Sequence, residues 1–296
     1  MTDAVEQTAV PLVGSRRYQI GDIGLTVVAD GGRVIPVPEG LVKNAPVEAV
    51  AAALEAGGSP KGTMPFFFNP VVIDSGTRKI LVDTGNGEGA FQNSKGGLGQ
   101  LQANLKGAGI DPAKIDAVLI THFHGDHVNG LLTASGRPAF PGSEILVPET
   151  EWVYWTDEGN ASRASDALKP NFANVKRVFD GLGSNVTQLN AGAEVAAGVS
   201  TMATPGHTPG HSSVLISSGG KALVVQGDVT NLPTIFARNP GWHGRFDMDP
   251  VTAEKTRRSL YDRAASEGLL ICGYHYPCPA VGKIAKEGGG YRVDLV

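Results

Sequence analysis

Apolar positions along this chain fall in short runs whose spacing alternates between strand-like and helix-like. IGLTVVADGG (23–32) reads as an early strand, and NPVVIDSGTRKILVDTG (69–85) as two apolar runs joined at Ser75-Gly76-Thr77, a hairpin signal. IDAVLIT (115–121) is a continuous apolar run of strand length, which fits a buried strand. SEILVPETEWVYW (143–155) passes from strand into helix. NVTQLN (185–190), VSTMATPGH (199–207), SSVLISSGGKALVVQGD (212–228) and GLLICGYHYP (268–277) are strand-like or hairpin-like. Helical character belongs to PVEAVAAALEAGG (46–58), to GLGQLQANLKGAGI (97–110) with Leu98, Leu101 and Leu105 near helical spacing, and to PVTAEKTRRSLYDRAASEG (250–268). The last has Pro250 near its start and Gly268 at its end, the usual asymmetry of helix termini. The polar stretch 156–176 follows neither period and is left unassigned.

Strands and helices occur in both halves, with no linker between them and no repeat at a solenoid period. The pattern is compatible with one α/β domain over residues 1–296, in which two sheets pack face to face under covering helices in four layers. The first 15 or so residues read as an extended arm.

Composition narrows the classes. A chain of 296 residues can bury roughly three quarters of the surface it exposes when unfolded. With 41% hydrophobic and 18% charged residues it reads as an ordinary globular chain rather than a disordered one. The formal charge of -4 and the lack of any Lys/Arg block give no reason to expect nucleic acid as a partner. No apolar stretch reaches the ~20 residues needed to span a bilayer, and the acidic N-terminus lacks the basic and apolar segments of a signal peptide. A cytoplasmic location, no membrane partner and a small-molecule substrate are the expectations; a homodimer is left open. Two cysteines, Cys272 and Cys278, imply no disulfide framework and read as small buried apolar residues.

Histidine changes the picture. THFHGDHVNG (121–130) holds three of the chain's seven histidines, His122, His124 and His127, with Asp126 among them. Neutral imidazole is the commonest protein metal ligand. IDAVLITHFHGDH, STMATPGHTPGH, ALVVQGD and LLICGYH each run an apolar segment into a turn carrying His or Asp, so strand ends would bring their ligands to one rim. The candidates are His122, His124, Asp126, His127, His207 or His211, Asp228 and His275. Seven nitrogen and oxygen ligands exceed one tetrahedral ion and suit two, with a carboxylate shared. Paired divalent ions activate a water and clamp the oxygens of a displacement.

THFHGDH resembles the HxHxDH signature of the metallo-β-lactamase superfamily. TPGHTPGH, QGD and GYH follow in the order of its dinuclear hydrolase branch, so the resemblance runs from the 69–85 hairpin to the C-terminus. It implies the four-layer αββα metallo-β-lactamase fold, with His122, His124 and His207 on one ion, Asp126, His127 and His275 on the other, and Asp228 bridging. Two divalent ions are expected, zinc first, with manganese, iron and cobalt as alternatives. GDVTN, the RNPGWHGRFDMDP loop and ICGYHYPCPAVGKI look closest to the methyl parathion hydrolase-like group of phosphotriesterases and lactonases. Asp228 stands where β-lactamases of the superfamily carry Cys or Ser, which argues against that activity. Asn231 stands where quorum-quenching lactonases place a tyrosine, which departs from a tyrosine-assisted mechanism.

The expected activity is hydrolysis of a lactone or carboxylic ester by a metal-bridging hydroxide, with Asp126 and Asp228 as the catalytic carboxylates. An organophosphate triesterase is the alternative, ahead of a glyoxalase II-like thioesterase or a mononuclear iron oxygenase. Asp83 is expected to hold a ligating imidazole through its other nitrogen, and His211 to support the site from behind. Phe67, Phe68, Trp152 and Asn231 are expected to line the substrate pocket, although plain core packing is the rival reading for each aromatic. His243 is given no role. GNGEGA (85–90) has G-x-G-x-G rather than a dinucleotide fingerprint, and no helix is expected to open there.

Overall fold

The computed structural model describes residues 14–183 and 185–296. The proposed N-terminal arm falls largely on residues 1–13, outside the described residues. Two seven-stranded sheets and one two-stranded ribbon carry the architecture. The first sheet takes β1 (Ser15–Ile20), β2 (Ile23–Val28), β5 (Val71–Asp74), β6 (Lys79–Val82), β7 (Ala117–Leu119), β8 (Glu144–Pro148) and β9 (Val186–Leu189), in that order. The second takes β10 (Glu194–Ala196), β11 (Val199–Ala203), β12 (Ser212–Ser218), β13 (Lys221–Val225), β14 (Leu270–Cys272), β15 (Val281–Glu287) and β16 (Gly290–Leu295). The ribbon pairs β3 (Gly31–Pro36) with β4 (Thr63–Phe68).

Strand alternation divides the core. Ile80 and Val82 of β6 and Leu223 and Val225 of β13 face the opposite sheet and share one buried cluster. Leu81 between the first pair joins Leu101 and Leu105 of α3 (Leu101–Gly107) and Val175 and Val178 of α7 (Lys169–Leu182). Val224 packs against Leu260, Tyr261 and Ala264 of α8 (Pro250–Glu267). The order is helix, sheet, sheet, helix, as the sequence predicts. α8 begins with the Asp249 carboxylate accepting from Thr252 N at 3.1 Å and ends at Gly268, whose φ of 69° suits glycine.

The 69–85 hairpin forms as expected, and its register sets Asp74 opposite Lys79. The stretch 156–176 is helical: α6 (Glu158–Arg163) follows α5 (Glu149–Thr156), and α7 begins at Lys169. Its polar residues face solvent while Phe172, Val175, Val178 and Phe179 of α7 are buried, a narrow apolar stripe that starts only inside that window. A second difference lies at GNGEGA, where the short helix α2 (Glu88–Asn93) opens at Gly87. The helix α1 (Val47–Ala56) packs with the turn at Pro233–Ala237 over the ribbon, burying Val50, Leu54, Ile235 and Phe236 together. No described helix is long and apolar enough to cross a membrane.

Candidate metal centre

The parallel neighbours β6 and β7 of one sheet, and β13 and β14 of the other, end on the same side. Asp83, the THFHGDH loop, Asp228 and His275 follow directly from those ends, and His207 sits in the loop between β11 and β12. The THFHGDH loop closes as the four-residue helix α4 (Gly125–Val128). Two glycines let the TPGHTPGH loop pass closely: a Cβ on Gly206 would meet Ala253 N at 2.2 Å, and one on Gly210 would meet Glu151 N at 2.1 Å. The loop therefore threads between α8 and α5 only as glycine.

All seven expected ligands come together. Donor atoms of His122, His124 and His207 form one group, those of His122, His127 and Asp228 a second, and those of Asp126, His127 and His275 a third, each within 4.8 Å. His124 Nδ1 lies 3.1 Å from His122 Nε2 and 2.9 Å from His207 Nε2. Asp228 reaches both sides, with Oδ2 3.3 Å from His207 Nε2 and 3.1 Å from His275 Nε2.

On four of the five rings the far nitrogen is occupied, which fixes the atom that faces inward. His127 Nδ1 donates to Asp83 Oδ2 at 2.8 Å, and His275 Nδ1 donates to the Phe67 carbonyl at 2.7 Å. Thr121 Oγ1 donates to Asp83 Oδ2 and so accepts from His122 Nδ1 at 3.1 Å. His207 Nδ1 donates to Asp247 Oδ1 at 3.0 Å. The inward nitrogens of those four rings are then lone pairs, and His124 Nδ1, set between two of them, can donate to only one. His127 Nε2 and Asp228 Oδ1, 3.4 Å apart and buried, have no hydrogen-bond partner at all. Converging lone pairs and orphaned buried atoms fit cations between them.

Charge points the same way. Burial, with His207 beside it, pushes His124 down to about 3, and burial with His127 pushes His122 well below its ordinary range. Burial opposes charge on Asp228 and Asp126, yet His275 and His127 hold Asp228 well below the carboxylate range and the same two imidazoles hold Asp126 at about 2. Burial would lower His127 as well, but Asp228, Asp126 and Asp83 outweigh it and raise that imidazole well above its usual value. Three carboxylates around one imidazole call for positive charge.

His211 stands behind these residues. Its Nε2 accepts from Asp228 N at 3.0 Å and its Nδ1 donates to the Thr204 carbonyl at 3.0 Å, which leaves no nitrogen to ligate. His243 pairs with Glu254 at 3.2 Å, away from the cluster. Cys272 is buried, but Cys278 is exposed and not the buried residue expected, because the loop after His275 turns outward there. Neither cysteine joins the three donor groups.

A cavity of about 390 Å³ opens onto His124, Asp126, His207, Asp228 and His275. Phe68 and Asn231 line it as expected; Phe67 and Trp152 do not. Alternation along β4 sends Phe66 and Phe68 to the cavity and Phe67 to the other face, so the ring that stacks on His275, at 4.2 Å between centroids, is Phe66. Trp152 lines a larger cavity of about 820 Å³ between α5 and α7 that contains none of the seven donors. Sequence reasoning missed Asp247, Glu151, Tyr274, Arg33 and Phe246. Glu151 is buried and accepts from Phe123 N, Trp155 Nε1, Thr208 Oγ1 and Gly210 N, which ties the loop of His122 and His124 to the loop of His207. Tyr274 lies over His127, 4.0 Å between centroids, and donates to the Asp126 carbonyl. Of these only Tyr274 stands beside a ligating histidine in the sequence, and nothing local marks which acidic residue answers which loop.

Residues 64–275 match the family model described as the metallo-beta-lactamase superfamily. An N-acyl homoserine lactonase of a Bacillus sp is 30% identical over 171 residues, 51% of this chain and 60% of that protein. One from Bacillus cereus is 28% identical over 161 residues, 49% and 56% of the respective chains. The chain thus spans about 60% of the length of these curated relatives. Among solved structures, the hydrolase AbOPH of the beta lactamase superfamily superposes with a TM-score of 0.87 at 26% identity, over 97% of this chain and 99% of that one. AidC, a dizinc quorum-quenching lactonase in complex with a product, superposes with a TM-score of 0.88 at 20% identity over 96% and 97%, a likeness of fold.

Proposed function

The chain belongs to the metallo-beta-lactamase superfamily, and from that premise we propose that it is a metal-dependent hydrolase of a lactone or carboxylic ester. The observation that carries the reading is the cluster of five imidazoles and two carboxylates, four of whose rings are bonded at the outer nitrogen and whose inner atoms are partnerless or crowded. His122, His124 and His207 would hold one divalent cation, Asp126, His127 and His275 a second, and Asp228 both. Bound there, the cations supply a Lewis acid for the carbonyl oxygen and lower the pKa of water toward ~7, so that hydroxide is available at neutral pH.

The chain's own residues do the rest. Asp126 is the one carboxylate of the set with an open side, 24% exposed against 3% for Asp228, and it faces the cavity. Ionised at neutral pH, it accepts the hydrogen bond that orients the attacking water. Tyr274 holds the backbone of Asp126, and Asp83 and Asp247 keep two imidazoles in register. Ile35, Met64, Phe66, Phe68 and Phe246 give the cavity an apolar wall suited to an acyl chain, and exclude water from it. The relatives named as N-acyl homoserine lactonases support a lactone over a phosphotriester.

The test is metal content of the purified protein together with turnover of an N-acyl homoserine lactone, an aryl ester and a phosphotriester. Two divalent ions per chain with turnover of the lactone or ester is expected. Inactivity on all three with metal in place would refute the reading.

A further inference from the structure

Alternation in the β3–β4 ribbon decides which side chains meet the cavity. Arg33 lies opposite Phe66 in the register, and Ile35 opposite Met64. Directly opposed residues share a face, and all four line the cavity together with Phe68. One guanidinium therefore stands on a wall that is otherwise apolar. Arg33 has no carboxylate within 4.0 Å among the described residues, and its Nε is buried without a hydrogen-bond partner. Arg257, by contrast, is buried with partners, and donates to Asp247 and to the carbonyls of Val229 and Pro240. A buried guanidinium nitrogen left unpaired is costly to stability.

The remaining polar groups of the cavity do not supply a counter-ion. Asn86, Asn129, Asn171 and Asn231 are uncharged, and Asp126 and Asp228 are committed to the imidazole cluster. We infer that Arg33 anchors an anionic group of the substrate: the ester or lactone taken here carries a carboxylate on the part that lies against the β3–β4 ribbon, away from the scissile bond. The planar fork of arginine matches a carboxylate in two parallel hydrogen bonds, and the apolar wall around it makes that pairing stronger than it would be in water. The cavity so built sorts substrates by charge at one end and hydrolyses at the other. The inference rests on the hydrolase reading for the word substrate, but not for the binding it predicts.

The test separates the two. Adipic acid monoamide and hexanamide share a six-carbon chain and an amide and differ in one carboxylate. Titrated calorimetrically into the metal-loaded protein, the first is expected to bind about tenfold or more tightly than the second, the scale of one charge-assisted pair. Arg33→Met should abolish that preference and Arg33→Lys should retain part of it, with metal content and circular dichroism unchanged as the check on folding. In turnover, the ratio of kcat/KM for mono(4-nitrophenyl) adipate over 4-nitrophenyl hexanoate should fall about tenfold in Arg33→Met. No preference in the native protein, or a preference that survives both substitutions, overturns the assignment of Arg33. Absence of turnover on both esters and on the N-acyl homoserine lactone refutes the hydrolase reading instead, and the binding arm still decides the role of Arg33.

Discussion

Asp247 accepts the Nδ1 proton of His207 at 3.0 Å, across 40 residues of chain. Its other oxygen accepts from Arg257 at 3.3 Å, and all three side chains are buried. The imidazole is therefore presented to the cluster with its Nε2 lone pair inward. Asp247→Ala removes the acceptor and leaves Arg257 buried without its counter-ion. Affinity for the ion held by His207 should fall about 10–100-fold, the usual effect of losing such a partner. Competition with a chelating dye measures it, and an unchanged affinity would remove Asp247 from the site.

Among the described residues, Asp228 is the one whose carboxylate reaches imidazoles of both proposed ion sites. Asp228→Ala should bind fewer than two ions per chain and lose turnover by orders of magnitude. Elemental analysis and the three-substrate panel read both. Full activity in that variant is incompatible with the proposed centre.

Much of this was legible in the sequence, and the reason is local. His122, His124, Asp126 and His127 sit within six positions at the end of one apolar run, so one strand end delivers them together. The TPGHTPGH, QGD and GYH turns follow strands of the same kind, and hydrophobic runs of period two are easily seen. What stayed hidden depends on contacts between distant segments. Nothing near Asp247 marks it as the partner of His207, and nothing near Glu151 marks it as the clamp of two loops. The pocket aromatics Phe66 and Phe67 differ by one position, and only the register of β4 against β3 tells which faces inward. The ribbon itself was missed because its residues 31–36 mix glycine, arginine and proline with few apolar positions.

Chelation should destabilise the fold. Without cations, the crowded nitrogens of His122, His124 and His207 and the carboxylates around His127 face one another unrelieved. Ions that bind only the folded chain stabilise it in proportion to the logarithm of their concentration over Kd. Dialysis against a chelator should lower Tm by several degrees, and restoring zinc should recover it. A Tm indifferent to chelator would mean that no ion is held there.

The two cysteines differ in chemistry. Burial pushes the Cys272 thiol up to about 12, so it stays protonated and unreactive across the range from pH 7 to 9. Cys278 is exposed, and partial burial raises its thiol less severely. A thiol-directed reagent at pH 8 should therefore label one cysteine per folded chain and two after denaturation, counted by mass spectrometry. Prompt labelling of both in the folded protein would contradict the packing around β14.

Glu151 offers the sharpest separation of fold from site. Its Oε1 accepts from Phe123 N at 3.0 Å and Trp155 Nε1 at 2.7 Å, and its Oε2 from Thr208 Oγ1 at 2.9 Å and Gly210 N at 2.8 Å. Burial pushes this carboxyl up, and the four donors work against that shift. Each buried donor left alone costs about 1–3 kcal/mol, so Glu151→Ala should lose several kcal/mol of stability in denaturant titration. Glu151→Gln keeps an acceptor for one pair of donors and turns an amide NH2 toward the other, so it should lie between the two. Because Phe123 stands between His122 and His124, and Gly210 follows His207 by three residues, the loss should reach the ions as well. Metal affinity should fall in the same order as stability, Ala below Gln below the native chain. Stability lost with metal affinity intact would show that the two loops keep their positions without this carboxylate, and that the clamp serves the fold alone.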